Sequence, residues 1–119
     1  MQYYSKVIEL NGSMKMAALL TKSNILLNLG RSEEALTAIN KAIDLDPNNT
    51  RGWEEKAITC YLLGRYNESL AAYERIIELR SGNVPAWVWK GRGDALKALG
   101  RQAEAETDYV RARGLRYLV

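Results

Sequence analysis

Leu63-Gly64-Arg65 recurs in this chain as Leu29-Gly30-Arg31 and Leu99-Gly100-Arg101, at spacings of 34 and 36 residues. Each copy follows one apolar-periodic segment and precedes another. A glycine just past such a segment reads as the left-handed stop of a helix, because it has no Cβ to clash there. The tripeptide therefore predicts three helix-turn-helix hairpins. Other positions recur in register around it. Eleven residues before each glycine stand Leu19, Trp53 and Trp89. Seven before stand Ser23, Ala57 and Gly93, and five after stand Ala35, Ser69 and Ala105, all of them small. Ile39, Tyr73 and Tyr109 follow at nine, and Ala42, Ile76 and Ala112 at twelve. Small residues facing each other let paired helices approach closely, and the large residues beside them fill the remaining space.

Composition agrees. The 119 residues suit a single domain, and Ala, Leu, Glu, Lys and Arg favour helix over strand. Apolar residues make up 47% and charged residues 26%, the balance of a soluble globular protein. The net charge of +3 comes from 17 basic and 14 acidic residues, interleaved along the chain. Such a mixed surface does not by itself point to nucleic acid or an acidic membrane. No apolar stretch approaches the roughly 18 residues of a membrane span, and the N-terminus lacks the pattern of a signal peptide. The one cysteine, Cys60, rules out an internal disulfide framework and suits a reducing cytoplasm. Asn-x-Ser/Thr triplets at Asn11, Asn48 and Asn67 sit where turns and helix starts are expected, so they read as caps rather than glycosylation sites.

The inventory argues against an enzyme. Histidine is absent, and one cysteine builds neither a zinc nor an iron-sulfur site, so no metal or cofactor is expected. Triads and Cys-His dyads are excluded for the same reason. Gly91-Arg92-Gly93 lacks the preceding strand and the Lys-Ser/Thr pair of a phosphate loop. The acidic pairs Glu33-Glu34 and Glu54-Glu55 fall at helix starts, where they complement the dipole.

Seven helices are predicted, over 2–10, 14–29, 33–45, 50–63, 67–80, 84–99 and 102–115. The first is the second half of a hairpin: Tyr4, Val7, Ile8 and Leu10 match Ile39, Ala42, Ile43 and Leu45 at a separation of 35. Asn11-Gly12-Ser13 is read as its end. Two extra residues between the second and third hairpins belong to the 80–86 connector or, alternatively, lie inside the next helix.

These residues resemble the tetratricopeptide repeat, whose pattern runs Trp-x2-Leu-Gly-x2-Tyr, then Ala-x3-Phe, then Pro. The second copy matches through Trp53, Ala57, Gly64, Tyr66, Ser69 and Tyr73. The first matches through Leu19, Gly30, Ala35, Ala42 and Pro47, and the third through Trp89, Gly93, Gly100, Ala105, Tyr109 and Ala112. The leucine three after the tryptophan is replaced throughout by Lys22, Lys56 and Arg92, and the closing proline survives only as Pro47. The resemblance implies an all-α fold, a right-handed α-solenoid of about three and a half repeats. Residues 1–119 then form one repeat domain: 1–13 a half repeat, 14–49, 50–85 and 86–119 the complete ones.

The resemblance further implies a scaffold that binds a peptide or partner protein in its concave groove, lined by the first helix of each hairpin. Counted from the aligned tryptophan positions, the groove takes Leu20, Asn24, Leu27 and Asn28 from the first repeat. The second supplies Arg51, Glu54, Glu55, Ile58 and Tyr61, and the third Trp87, Lys90, Asp94 and Lys97. Trp87 and Tyr61 stand out, because aromatic anchors dominate interface energetics. Chaperone-binding members hold a C-terminal carboxylate with Lys, Asn and Arg; the matching positions here are Leu20, Asn24, Glu55, Trp87 and Gly91, and only Asn24 agrees. One alternative is self-assembly through uncapped ends carrying Tyr3, Tyr4, Val7 and Ile8 at one terminus and Leu115, Tyr117, Leu118 and Val119 at the other. A single-stranded RNA reader is a further one, disfavoured because three groove candidates are acids and no polar pair is shared between repeats.

Overall fold

The computed structural model describes residues 2–117, with side chains over 14–115. Six helices run in order: α1 Gln2–Asn28, α2 Ser32–Leu45, α3 Thr50–Leu62, α4 Tyr66–Arg80, α5 Ala86–Ala98 and α6 Gln102–Tyr117. They pair as three antiparallel hairpins, α1 with α2, α3 with α4 and α5 with α6, and each hairpin stacks on the next. The fold is an all-α helical repeat solenoid.

Each Leu-Gly-Arg closes its first helix in the same way. Gly30, Gly64 and Gly100 have φ of 76°, 77° and 81°. In the middle hairpin the Gly64 amide donates to the Tyr61 carbonyl at 3.0 Å and the Arg65 amide to the Cys60 carbonyl at 2.8 Å. These two bonds are the Schellman pair that satisfies the last carbonyls of a helix. The arginine then serves the following helix. Arg31 and Arg101 each reach a glutamate three residues on, Glu34 and Glu104, whereas Arg65 crosses back to Glu33 of α2 at 2.9 Å.

The recurring small residues meet as predicted. Ser69 of α4 donates to the Ala57 carbonyl of α3 at 2.7 Å, and the Gly93 position lies against the Ala105 carbonyl and the Tyr109 ring. Core clusters form around Leu20, Ile39 and Ile43, around Ala57, Tyr73, Ile76 and Val88, and around Leu70, Ala95, Leu96 and Ala105. Trp53 and Trp89 are half-buried instead of fully enclosed. Each indole lies at the edge of its hairpin under a cation, Lys56 over Trp53 at 5.6 Å and Arg111 over Trp89 at 4.8 Å. The Trp53 indole N–H also donates to the Pro47 carbonyl at 2.8 Å, so its polar edge stays at the surface.

One expectation about the elements changes. Asn11, Gly12 and Ser13 are helical, so α1 is a single helix and no break sets off a separate N-terminal one. One interior glycine costs a helix only about 1 kcal/mol, and no proline stands there to enforce a stop. The side chains of Tyr3, Tyr4, Val7, Ile8, Tyr117, Leu118 and Val119 lie outside the described side chains. The two extra residues, for their part, lie between the third-hairpin helices and those before them. The α3 and α5 helices superpose at a separation of 36, Thr50 on Ala86 and Leu62 on Ala98, so the face pattern of α5 is not rotated. One residue lengthens α4 relative to α2 and the other lengthens the connector, where Ser81 and Gly82 take left-handed φ of 44° and 91°.

Candidate partner-binding groove

The first helices form one layer and the second helices the other. Besides its own hairpin partner, α1 touches α3 directly, whereas no contact of that extent joins α2 to α4. The α1-α3-α5 layer is the face on which the sequence reading puts the groove.

Of the residues expected to line this face, Leu20 does not. It is 1% exposed and packs among Met16, Ile39, Ala42 and Ile43. Its counterparts Glu54 and Lys90 carry charges that must reach water, but a leucine at this position sinks into the hairpin. The other first-repeat candidates, Asn24 and Asn28, are exposed and Leu27 is half-buried. From α3, Arg51, Ile58 and Tyr61 are exposed, while Glu54 and Glu55 are half-buried. From α5, Trp87, Lys90 and Lys97 are exposed and Asp94 is half-buried.

Three of the polar groups are committed to partners. Glu54 accepts from Arg80 of α4 at 3.2 Å, and Lys90 lies 3.5 Å from Asp94 one turn on. Asp94 also accepts the Tyr109 hydroxyl at 2.6 Å. Burial pushes the Tyr109 phenol upward, and this bond adds to the shift. The Tyr73 phenol is pushed up to about 12, chiefly by burial and further by the nearby Asp94 and Tyr61. Burial also raises the Glu55 carboxyl above the usual range, with Arg51 pulling it down and Glu54 pushing it up.

Three contributors were missed in the sequence. Leu62 is 66% exposed beside Ile58 and Tyr61, and it stands 34 residues after Asn28, which was included. Tyr66 packs edge-on against Tyr61 with ring centres 5.3 Å apart. Tyr109 read as core by analogy with Tyr73, which is covered by Gly91 of the next hairpin. No described hairpin follows α6, so Tyr109 stays half-exposed and lines a cleft of about 530 Å³ with Trp87, Lys90 and Arg113. Trp87, 43% exposed, forms the other wall.

Among the described residues no group of three His, Cys, Asp or Glu side chains comes together as a metal site, and no helix is long and apolar enough to cross a membrane. Cys60 is buried, with its thiol pushed up to about 11 by burial and then by Glu68. A thiol so raised is protonated and inert near neutrality.

Comparison with known proteins fits this geometry. The chain is similar to the first tetratricopeptide domain of Spaghetti (RPAP3) bound to the HSP90 peptide SRMEEVD, at 26% identity and a TM-score of 0.78, covering 87% of this chain and 80% of that one. It also resembles the N-terminal domain of stress-induced protein-1 (STI-1) from C. elegans, at 21% identity and 0.76, covering 85% and 84%. The Yersinia enterocolitica type III secretion translocator chaperone SycD gives 19% identity and 0.76, covering 84% and 74%. No curated protein sequence matches the chain. The sequence model of the tetratricopeptide repeat matches residues 20–84, more than half of the chain, and the chain belongs to that family.

Proposed function

We propose that this protein is a binding scaffold, without enzyme activity, which holds a peptide or extended protein segment in the α1-α3-α5 groove. One observation supports it: Ile58, Tyr61 and Leu62 of α3 and Trp87 of α5 are large apolar side chains left exposed on first helices that also carry charges of both signs. Exposed apolar groups in a concave, polar-rimmed surface are the usual anchor for a partner. The similar domain of Spaghetti binds an acidic peptide, but that mode does not transfer. Leu20 is buried, Glu55 is an acid, Gly91 is covered by the Tyr73 ring, and none of the five clamp positions offers a cation. A segment with apolar residues and mixed charge fits better. The lone buried cysteine supports a reducing, cytoplasmic setting.

Selection from a random-peptide display library tests the proposal. The protein is expected to enrich a segment that Ile58→Asp and Tyr61→Ala variants fail to retain, while Val110→Lys, exposed on α6, retains it. Equal enrichment by the Ile58→Asp variant would refute the groove.

Self-association has its own support, from the first hairpin alone. Met14, Ala18, Ile25 and Leu29 form an exposed stripe along α1. Their counterparts Gly52 and Thr59 of α3, and Val88 and Ala95 of α5, are buried against the preceding hairpin. The opposite end differs. Where α2 and α4 present Leu36 and Leu70, then Ile43 and Ile77, α6 presents exposed Glu106 and Arg113. Among the described residues the α1 end carries this apolar stripe, whereas the α6 end carries Glu106 and Arg113 beside the half-exposed Tyr109.

A further inference from the structure

The three hairpins are not equally filled. Trp53 packs against the core of its hairpin around Ala57 and Tyr73 with Lys56 over its ring, and Trp89 packs against the cluster of Tyr73 and Val88 with Arg111 of α6 over its ring. The same position in the first hairpin is Leu19, and there the seam opens into a cleft of about 570 Å³ walled by Lys15, Ala18, Lys22, Lys41 and Leu45. That volume lies within the range of small-ligand sites, about 300–1,000 Å³. A second recess of about 200 Å³ continues it along the seam, sharing Leu19, Lys22 and Lys41.

The cations around the cleft are those that hold the indoles elsewhere. Lys22 is the counterpart of Lys56, which stands over Trp53, and Lys41 is the counterpart of Arg111, which stands over Trp89. The third hairpin also shows a carboxylate here. Asp108 of α6, 2% exposed, accepts from Arg92 at 3.2 Å. Arg92 corresponds to Lys22, and Asp108 to Ala38. The first hairpin thus keeps both cations and lacks both of their partners, the ring and the carboxylate. Among the described residues Lys15, Lys22 and Lys41 form no ion pair; Asp44 is the one acid in the larger cleft, and Glu34, which lines the recess, is paired with Arg31.

We propose that the α1–α2 cleft is a second binding site, for an aromatic side chain with an adjacent carboxylate, supplied by a partner protein segment. The ring enters where Trp53 and Trp89 lie in the later hairpins, between Lys22 and Lys41, and the carboxylate meets Lys22 as Asp108 meets Arg92. A cation over a ring is attracted by its negative face, and three lysines around an apolar floor select an acidic segment over a basic one. The site is on the hairpin seam and independent of the groove.

The test is a titration of the full chain, labelled with nitrogen-15, with the peptide acetyl-Glu-Trp-Asp-amide at low salt. The expected result is saturable amide shifts at Lys22, Lys41 and Leu45, absent with acetyl-Glu-Ala-Asp-amide and with acetyl-Lys-Trp-Lys-amide. Leu19→Trp supplies the ring from the chain itself. That variant is expected to melt at or above the wild-type temperature and to lose the shifts. Replacing Lys22 and Lys41 together by Gln is expected to weaken binding about tenfold or more, as removal of charged and cation–π partners does. The proposal is overturned if a folded Leu19→Trp variant binds like the wild type, or if the alanine peptide binds equally well. Shifts at Ile58 and Tyr61 in place of the cleft overturn it too, as does the absence of any shift. So do shifts that arise from raising the protein concentration alone, which would make a second copy the occupant.

Discussion

At the residue scale, repetition made some roles legible and pairing hid others. Gly30, Gly64 and Gly100 could be read because a left-handed stop needs glycine each time, and all three have positive φ. The roles of Asp108 and Arg92 could not, since they depend on one hairpin placing a carboxylate where the others place Ala38 and Ala72. Burial raises the Asp108 carboxyl above its usual range despite the pull of Arg92. A raised folded-state value means that protonation favours the fold: the contribution is full below the unfolded value and is lost as pH rises through the folded one. Arg92→Leu removes the compensating cation and leaves the carboxylate alone. We expect a loss of about 3 kcal/mol at neutral pH, shrinking in acid as Asp108 protonates. Urea unfolding at the two pH values checks this, and a small, pH-independent loss would show that the pair matters little.

Helices are the next scale, and here the hairpin pattern was readable where punctuation was strong. Five of the helices were anticipated to within a few residues, because Leu-Gly-Arg and the 46–49 and 81–85 connectors bracket them. The start of α1 was misread, because Asn11-Gly12-Ser13 has the residues of a stop without the proline or left-handed turn that enforces one. Close approach between neighbouring hairpins was also invisible. Gly91 of α5 lies flat against the Tyr73 ring of α4, and a Cβ there would run into the ring. Alanine is the better helix former by about 1 kcal/mol, yet overpacking of this kind costs roughly 1–3 kcal/mol. Gly91→Ala is therefore expected to lower the melting temperature, whereas propensity alone predicts a rise. A calorimetric scan of the variant decides between them.

Across the whole molecule, stacking determines which surfaces remain open. Counting from the aligned tryptophans picked first-helix positions that are exposed or half-buried, except for Leu20, whose burial depends on its own hairpin core. The difference between the two ends was not anticipated: Glu106 and Arg113 stand beside Tyr109 at one, while Met14, Ala18, Ile25 and Leu29 line the other. Any self-association is therefore expected to go through α1. Ile25→Lys should shift sedimentation equilibrium toward monomer at high concentration, and Val110→Lys should not. A monomer at every concentration in both the unmodified chain and the variants would remove the self-association reading. The central claim, that the groove carries the function, is tested most directly by nuclear magnetic resonance. The full chain would be titrated with whatever segment library selection enriches, and the amide shifts mapped. The account predicts perturbation at Asn24, Ile58, Tyr61 and Trp87 on the inner layer, with the outer faces of α2, α4 and α6 unmoved; shifts confined to those outer faces would contradict it.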